Sequence, residues 1–476
     1  MSTYSKILFI GMDAGDKDLI LGWAREGVLP AFERLLKESA WGITKNPPGL
    51  FVGAVWPSFA TGASPSKHGR YSPKQFVPGT YEFQKLRLSE MKEPLFWETL
   101  SRAGKRMAVI DVPRVRLARE FKGVQLFNWL SHDPEPEGFV TSPEELAEEV
   151  KRKYGLNSIP RCDGKRAIPE EFRELRDALI KRVGQKREFS RDLLRRDAWD
   201  FFLTVFTESH CAGHQFWALR DPSHPKHDPE IAACLGDPMR DVYREIDASI
   251  GNLLDEVGPD TAVFVLASHG MGPHFDGTAI LEEMLTRMET RYDPWMRFRT
   301  KKSRFGHRLC FKVPNNTVYG GIRINLAGRE PQGRVKPGAA YERLRNRLIR
   351  DLGEFINLET KEPAVEKVHR IETLYPDEDT SFFPDLIVEW NRRARISSVF
   401  SPKTGRIDGK YQGCRTGDHK PEGLFFMKGP GIPVGRLEGA VSVMDFAPTF
   451  AELLGVPMPS ARGRSLFSNL TVPNAD

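Results

Sequence analysis

The chain has 476 residues, 40% of them hydrophobic and 28% charged, enough for one large domain with insertions or for two domains. Lys plus Arg exceed Asp plus Glu by six, a mild positive balance that suits a small anionic substrate and does not single out nucleic acid. No apolar run reaches bilayer length, and the run Ile7–Met12 is too short for a signal peptide and ends at Asp13, so neither a membrane span nor secretion is expected.

The five cysteines, Cys162, Cys211, Cys234, Cys310 and Cys414, form no CxxC pair. Their scatter predicts no disulfide framework, a reducing compartment and hence a cytoplasmic protein, with Cys211 buried as a small apolar residue.

In chain order, Lys6–Asp13 reads as an apolar strand that ends in a carboxylate. Helices are expected from Asp18 to Glu26 and from Leu29-Pro30 onward, then a short strand over Trp41–Thr44. Pro57-Ser58-Phe59-Ala60-Thr61-Gly62 looks like a strand-to-helix corner, where a helix start would offer N–H groups to an anion. Ser58 either lines a site there or caps the helix, and His68 reads as structural. A helix over Glu93–Ala103 and strands over Arg106–Val112 and Gly123–Trp129 follow, with a helix start at Ser142-Pro143. Glu170–Arg196 is a long helix whose stripe runs through Phe172, Leu175, Leu179, Val183, Phe189 and Leu193, with its charges on a solvated face.

Trp199–Phe206 is a strongly apolar strand, and Glu208, His210 and His214 lie just past its end. The spacing of four puts both imidazoles on one face of a helical turn, where they can share a metal ion. Glu208 is placed to orient a ligating His. The loop Asp221–Asp228 carries His224 and His227, read as surface residues, and Met239–Val257 is a helix. Thr261–Ala267 is another apolar strand, ending in Ser268-His269, and Gly417-Asp418-His419 precedes the strand Leu424–Met427. Four separated segments thus bring Asp or His to the carboxyl edge of one sheet, where open α/β sheets bind ligands.

Between Ala279 and Arg415 the character changes: Arg287–Lys312 is dense in basic and aromatic residues, either a solvated loop or a lid over an anion. Thr317–Asn325 alternates like a half-exposed strand, Tyr341–Phe355 like a helix, and Pro384–Trp390 like a strand. Residues 279–415 are therefore expected as an inserted cap, and 1–278 with 416–476 as a doubly wound, largely parallel α/β core. Nucleic-acid binding is not expected, and the oligomeric state is not legible.

Asp13, WPSFATGASPSKHGRY from Trp56 to Tyr71, ESHCAGH, SHGMGP, GDHKPEG with KGPGI, and the tail VSVMDFAPTFAELLGVPMPSARGRSL together resemble the alkaline phosphatase superfamily, in its type I phosphodiesterase and nucleotide pyrophosphatase branch. The resemblance implies that fold, two metal ions, commonly zinc, and a Thr or Ser nucleophile. It also exposes departures. His210 and Ser268 stand where the family usually has Asp, and counting back from Thr61-Gly62 puts Val52 at the nucleophilic Thr. One metal set, His210, His214 and His419, is intact as three imidazoles, so one strong zinc site is expected. The second is left with Asp13 and His269, with His274 as a third ligand, a general acid or a turn cap. The implied activity is a metal-dependent hydrolase of phosphoester, phosphodiester or pyrophosphate bonds. The alternatives are a binding or regulatory protein on a degenerate phosphatase fold, and a relative turned to sulfate esters or to amide or carbamoyl chemistry.

Overall fold

The structure, a computed structural model, describes residues 4–85, 87–131, 137–157, 159, 162–293, 305–315, 318–409 and 411–469. The central sheet has nine strands in the order Gly435–Ser442, Ala40–Lys45, Glu422–Lys428, Thr261–Ala267, Lys6–Met12, Phe201–Phe206, Met107–Ile110, Gly123–Phe127 and Val140–Ser142. Lys6–Met12 pairs parallel with both neighbours, Phe201–Phe206 and Thr261–Ala267, whereas Glu422–Lys428 runs antiparallel to both of its own. Strands covered on both faces need apolar residues at every position, and Phe201–Phe206 and Thr261–Ala267 are buried throughout.

Alternation along Lys6–Met12 sends Ile7 and Phe9 into one apolar core and Leu8 and Ile10 into the other. The first core takes the helices Phe51–Thr61, Phe96–Arg102 and Phe446–Leu453; the second takes Lys17–Arg25, Pro30–Glu38, Pro169–Arg196, Glu208–Arg220 and Pro238–Asp255. Helices on both faces of a largely parallel sheet make the expected doubly wound α/β architecture.

Residues 279–415 form a four-stranded antiparallel sheet, Cys310–Val313, Tyr319–Ile324, Leu386–Trp390 and Val365–Arg370, with its own apolar core under the helices Thr278–Tyr292 and Ala339–Gly353. Leu386–Trp390 belongs to this sheet; the chain rejoins the main one at Glu422–Lys428. Tyr319–Ile324 is not half-exposed but buried at all six positions. Its polar member, Arg323, escapes the alternation argument by pairing with Glu330 at 2.7 Å and lying over the Phe76 ring. Residues 294–304 of the basic–aromatic stretch lie outside the described residues.

Three further expectations change. The Pro57–Gly62 corner is the second half of a helix, Phe51–Thr61, with Pro57 inside it. An interior proline costs roughly 3 kcal/mol in an exposed helix, and here ten of the eleven residues are buried, all but Val52, which offsets that cost. The charges of Pro169–Arg196 are not all solvated, for Arg182 and Lys186, one turn apart, are fully buried. And against the expectation drawn from scattered cysteines in a reducing compartment, Cys162 and Cys211 are joined in a disulfide across 49 residues of sequence, because the fold brings together two segments whose spacing in the chain gives no sign of it. Cys211 is buried as expected, but bonded rather than merely packed.

Candidate metal centre and its cavity

The helix Glu208–Arg220 starts one residue past its strand, so His210 and His214 stand one turn apart at the carboxyl edge of the sheet. Strand Gly417–Lys420 crosses them at very short range. A Cβ on Gly417 would lie 2.1 Å from the Gly213 carbonyl oxygen, and a Cβ on Gly213 would lie 2.6 Å from Met271. Two residues without side chains therefore let helix and strand close until the three imidazoles meet. Ring centroids are 4.5 Å apart for His210 and His214, 4.8 Å for His210 and His419, and 4.7 Å for His214 and His419. One ring nitrogen from each lies within 4.8 Å of the others, and all three residues are buried.

Hydrogen bonds fix the tautomers. His214 Nδ1 is 2.7 Å from the Gly417 carbonyl oxygen, which only accepts, so Nδ1 carries the proton and Nε2 the lone pair. A longer chain of bonds fixes His419. Asp13 Oδ1 accepts from Trp56 Nε1 at 2.8 Å and from Ser268 Oγ at 3.2 Å. The Ser268 proton being spent on the carboxylate, His269 Nδ1 at 3.0 Å must donate to Ser268 Oγ. His269 Nε2 is then an acceptor, and the proton between it and His419 Nδ1, 3.0 Å away, belongs to His419. His419 Nε2 is thereby left with its lone pair. Burial pushes the His269 pKa down, against the opposing pull of Asp13 and Asp418, which keeps this relay neutral at its centre.

Trp56 reaches Asp13 because Gly11 gives way to it: a Cβ there would lie 2.8 Å from the indole Cη2. The indole was not singled out in the sequence, and nothing local to Trp56 marks it.

A cavity of about 200 Å³ opens beside these groups. Asp13, Val52, His210, His269 and His419 line it, together with Arg114, Asn128, Asn315 and Arg415. Val52 contributes from the first turn of its helix, the one position of that helix not fully buried. Arg114 and Asn128 have left-handed backbones, with φ of 59° and 58°, as do Asp111 and Ala14 at 56° and 54°. Non-glycine residues held there cost roughly 1–3 kcal/mol each, and such strain gathers at functional sites. The Arg114 guanidinium is close enough to add to the lowering of the His269 pKa. These cavity residues were missed in the sequence, although Arg114 follows the strand Met107–Ile110 by the same strand-end rule that found Asp13.

Other sequence candidates lie elsewhere. Ser58 is fully buried, and its Oγ is 2.9 Å from His68 Nε2. His68 Nδ1 accepts the Arg70 N–H at 3.2 Å, so Nε2 is the protonated nitrogen and donates to Ser58. The pair has no base to activate the hydroxyl. Burial and Arg70 push the His68 pKa down to about 3. Glu208 does not orient a ligand; it pairs with Arg182 at 3.2 Å and lies 3.9 Å from Lys186, which sits 3.1 Å from Asp111, all buried. His274 does not join Asp13 and His269. It groups with Asp276 and the buried Asp418, and with Asp276 lines a separate cavity of about 350 Å³.

A model of the type I phosphodiesterase / nucleotide pyrophosphatase family matches residues 7–420. Among solved structures, the chain is similar to murine ectonucleotide pyrophosphatase / phosphodiesterase 5 in an inactive form with AMP, at TM-score 0.55 and 13% identity over 98% of each chain. It is also similar to phosphonoacetate hydrolase from Sinorhizobium meliloti 1021 with phosphonoformate, at TM-score 0.56 and 14% identity over 95% of this chain and 96% of that one. At such identities the likeness concerns the fold. Comparison with curated protein sequences gives no match. No described helix is long and apolar enough to cross a membrane.

Proposed function

The chain belongs to the type I phosphodiesterase / nucleotide pyrophosphatase family, and from that premise we propose a hydrolase that cleaves a phosphoester, phosphodiester or pyrophosphate bond with one ion held by His210, His214 and His419. The observation that carries this reading is the pair of fixed tautomers, which keep the Nε2 lone pairs of His214 and His419 within a three-imidazole cluster. Three neutral imidazoles are the donor set of catalytic zinc. An ion there supplies Lewis acidity, polarising a phosphoryl oxygen and lowering the pKa of water to about 7.

The chain's own residues supply the rest. The relay from Asp13 through Ser268 and His269 holds the proton on His419 Nδ1 and so orients the ring. Arg114 gives the phosphoryl group a charge-assisted partner, Asn128 and Asn315 add neutral donors, and Arg415, paired with Asp163 at 2.6 Å, adds its positive charge to the lining. The cavity of about 200 Å³ is smaller than the roughly 300–1,000 Å³ of sites that enclose a drug-sized ligand. It suits a phosphoryl head group, with the remainder of a small anionic substrate outside. Residues 279–415 act as a cap, contributing Asn315 and Arg415 to the wall. AMP and phosphonoformate, named with the two structural neighbours, are small phosphorus-bearing anions of this class.

Val52 has no group that can attack phosphorus, so the reaction passes directly to water rather than through a covalent enzyme intermediate at that position. The test is turnover of a chiral phosphorothioate diester by zinc-loaded protein. One displacement inverts phosphorus; retention would overturn direct water attack. Val52 and Ser268 also favour a second reading, a binding protein that keeps its ion for structure or recognition. Bound zinc with no turnover of phosphomonoester, phosphodiester or pyrophosphate substrates would establish that one.

A further inference from the structure

Strand Gly417–Lys420 pairs antiparallel with Gly270–Pro273, and successive side chains on it point to opposite faces. His419 faces the imidazole cluster. Asp418, fully buried, faces the other way, toward His274 and Asp276. His274 lies between two carboxylates: its Nδ1 is 3.1 Å from Asp276 Oδ2, and its Nε2 is 3.8 Å from Asp418 Oδ2. The side chains of His274, Asp276 and Asp418 are 3%, 4% and 0% exposed.

Two of the facing atoms, His274 Nε2 and Asp418 Oδ2, are buried without a hydrogen-bond partner. At 3.8 Å they are too far apart to bond to each other, and their separation suits two atoms that hold one ion between them. The other oxygen, Asp418 Oδ1, is engaged by the backbone N–H of His419 at 2.9 Å. Among the described residues no Lys or Arg lies within ion-pair distance of Asp276 or Asp418. Two buried carboxylates sharing one imidazole are costly in a low-dielectric interior: burial and the neighbouring Asp418 push the Asp276 carboxyl up, against the pull of His274, and Lys312 acts on it only from beyond ion-pair distance.

We propose that His274, Asp276 and Asp418 form a second, separate divalent-cation site on the far face of the strand that carries His419. One donor atom from each residue lies within 4.8 Å of the others. Two carboxylates and one imidazole favour a harder ion than three imidazoles do, so manganese is the ion of choice here and zinc at the cluster. The cavity of about 350 Å³ on which His274 and Asp276 open supplies water for the remaining coordination positions. Tyr411 stacks on the His274 ring at 4.0 Å and 25°, holding its plane. The site does not depend on an ion at the imidazole cluster. Its effect on that cluster is positional: fixing Asp418 fixes the neighbouring residue, His419, through the Oδ1 bond to its N–H.

The experiment is Mn2+ titration of the full chain followed by electron paramagnetic resonance, on the wild type, His274→Ala, Asp418→Asn and His214→Ala. One saturable Mn2+ per chain is expected in the wild type, weakened about tenfold or more in His274→Ala and Asp418→Asn, and unchanged in His214→Ala. Equal binding in the wild type and Asp418→Asn, or its loss in His214→Ala, overturns the proposal. So does a wild type with no saturable Mn2+ site, which would leave an imidazolium between two carboxylates. Should the variants fail to fold, electron spin echo measurements on the wild-type Mn2+ complex decide instead. Coupling to a single imidazole nitrogen supports the site, and coupling to several places the ion at the imidazole cluster.

Discussion

The two halves of the main site rest on the same edge of the same sheet, yet their chemistry differs. In one half, His210, His214 and His419 converge, and the surrounding bonds preserve a ring lone pair on His214 and on His419. In the other, Asp13 and His269 are consumed by bonds to Trp56, Ser268 and His419, and position 52 is a valine. A carboxylate at 268 would join Asp13 in holding a cation; a hydroxyl there instead donates to Asp13. The hydroxyl at 268 thus makes this half an orienting relay for the other. Loss of ligands at one position can therefore strengthen the definition of the next.

Three perturbations separate the halves, in descending order of effect. His214→Ala should empty the imidazole cluster, taking zinc from about one per chain to near zero and hydrolysis down by about 10³-fold, the several kcal/mol that a Lewis-acid ion contributes. Elemental analysis of dialysed protein, beside turnover, checks it. Next, Ser268→Ala should leave the three imidazoles in place but free the His269 and His419 tautomers, lowering zinc affinity about 10–100-fold, as loss of an outer-shell partner does. Ser268→Asp should do the opposite and raise capacity toward two ions. If both substitutions leave zinc affinity and stoichiometry untouched, the relay has no bearing on the ion.

Third, Ser58→Ala should leave turnover within about twofold, because the His68 ring donates to Ser58 and cannot deprotonate it. It should still cost about 1–3 kcal/mol of stability, since the His68 N–H would be buried without an acceptor. Abolished turnover at unchanged stability would place Ser58 in the reaction after all.

Continuous apolar runs at Ile7–Met12, Phe201–Phe206 and Thr261–Ala267 made the central sheet legible, because strands covered on both faces must be apolar throughout. The imidazole cluster was legible through the spacing of His210 and His214 and the strand ends that carry the other candidates. What escaped depends on contacts between segments distant in sequence. Trp56 meets Asp13 only because Gly11 lacks a Cβ, and Cys162 meets Cys211 across 49 residues. Arg182 and Lys186 read as solvated because a charged helix usually is; their burial is set by Glu208 and Asp111, on other elements. His274 was drawn toward His269 by a separation of five residues. The strand pairing of Met271 with His419 and Gly272 with Asp418 instead puts the two histidines on different faces.

The smallest effect concerns acid, and it locates an anchor of the weaker half. His68 secures the helix that presents Val52, and it does so neutral, with a pKa lowered to about 3. In the unfolded chain its pKa is about 6.5, so below that value the unfolded state binds a proton that the folded state refuses. The sign follows: the contribution is intact above pH 6.5 and is lost progressively as pH falls toward 3. The loss amounts to about 1 kcal/mol at pH 6 and about 2 kcal/mol at pH 5. His224, lowered to about 4 by burial, shifts stability in the same direction, so the wild type alone cannot isolate His68. His68→Gln keeps a donor for Ser58 and removes the titration. Denaturant unfolding of both proteins at pH 7.5, 6 and 5 should show the variant losing less stability than the wild type, by about those amounts. Parallel losses would mean that His68 can take a proton in the folded state, and that its Nδ1 is not held by the Arg70 N–H.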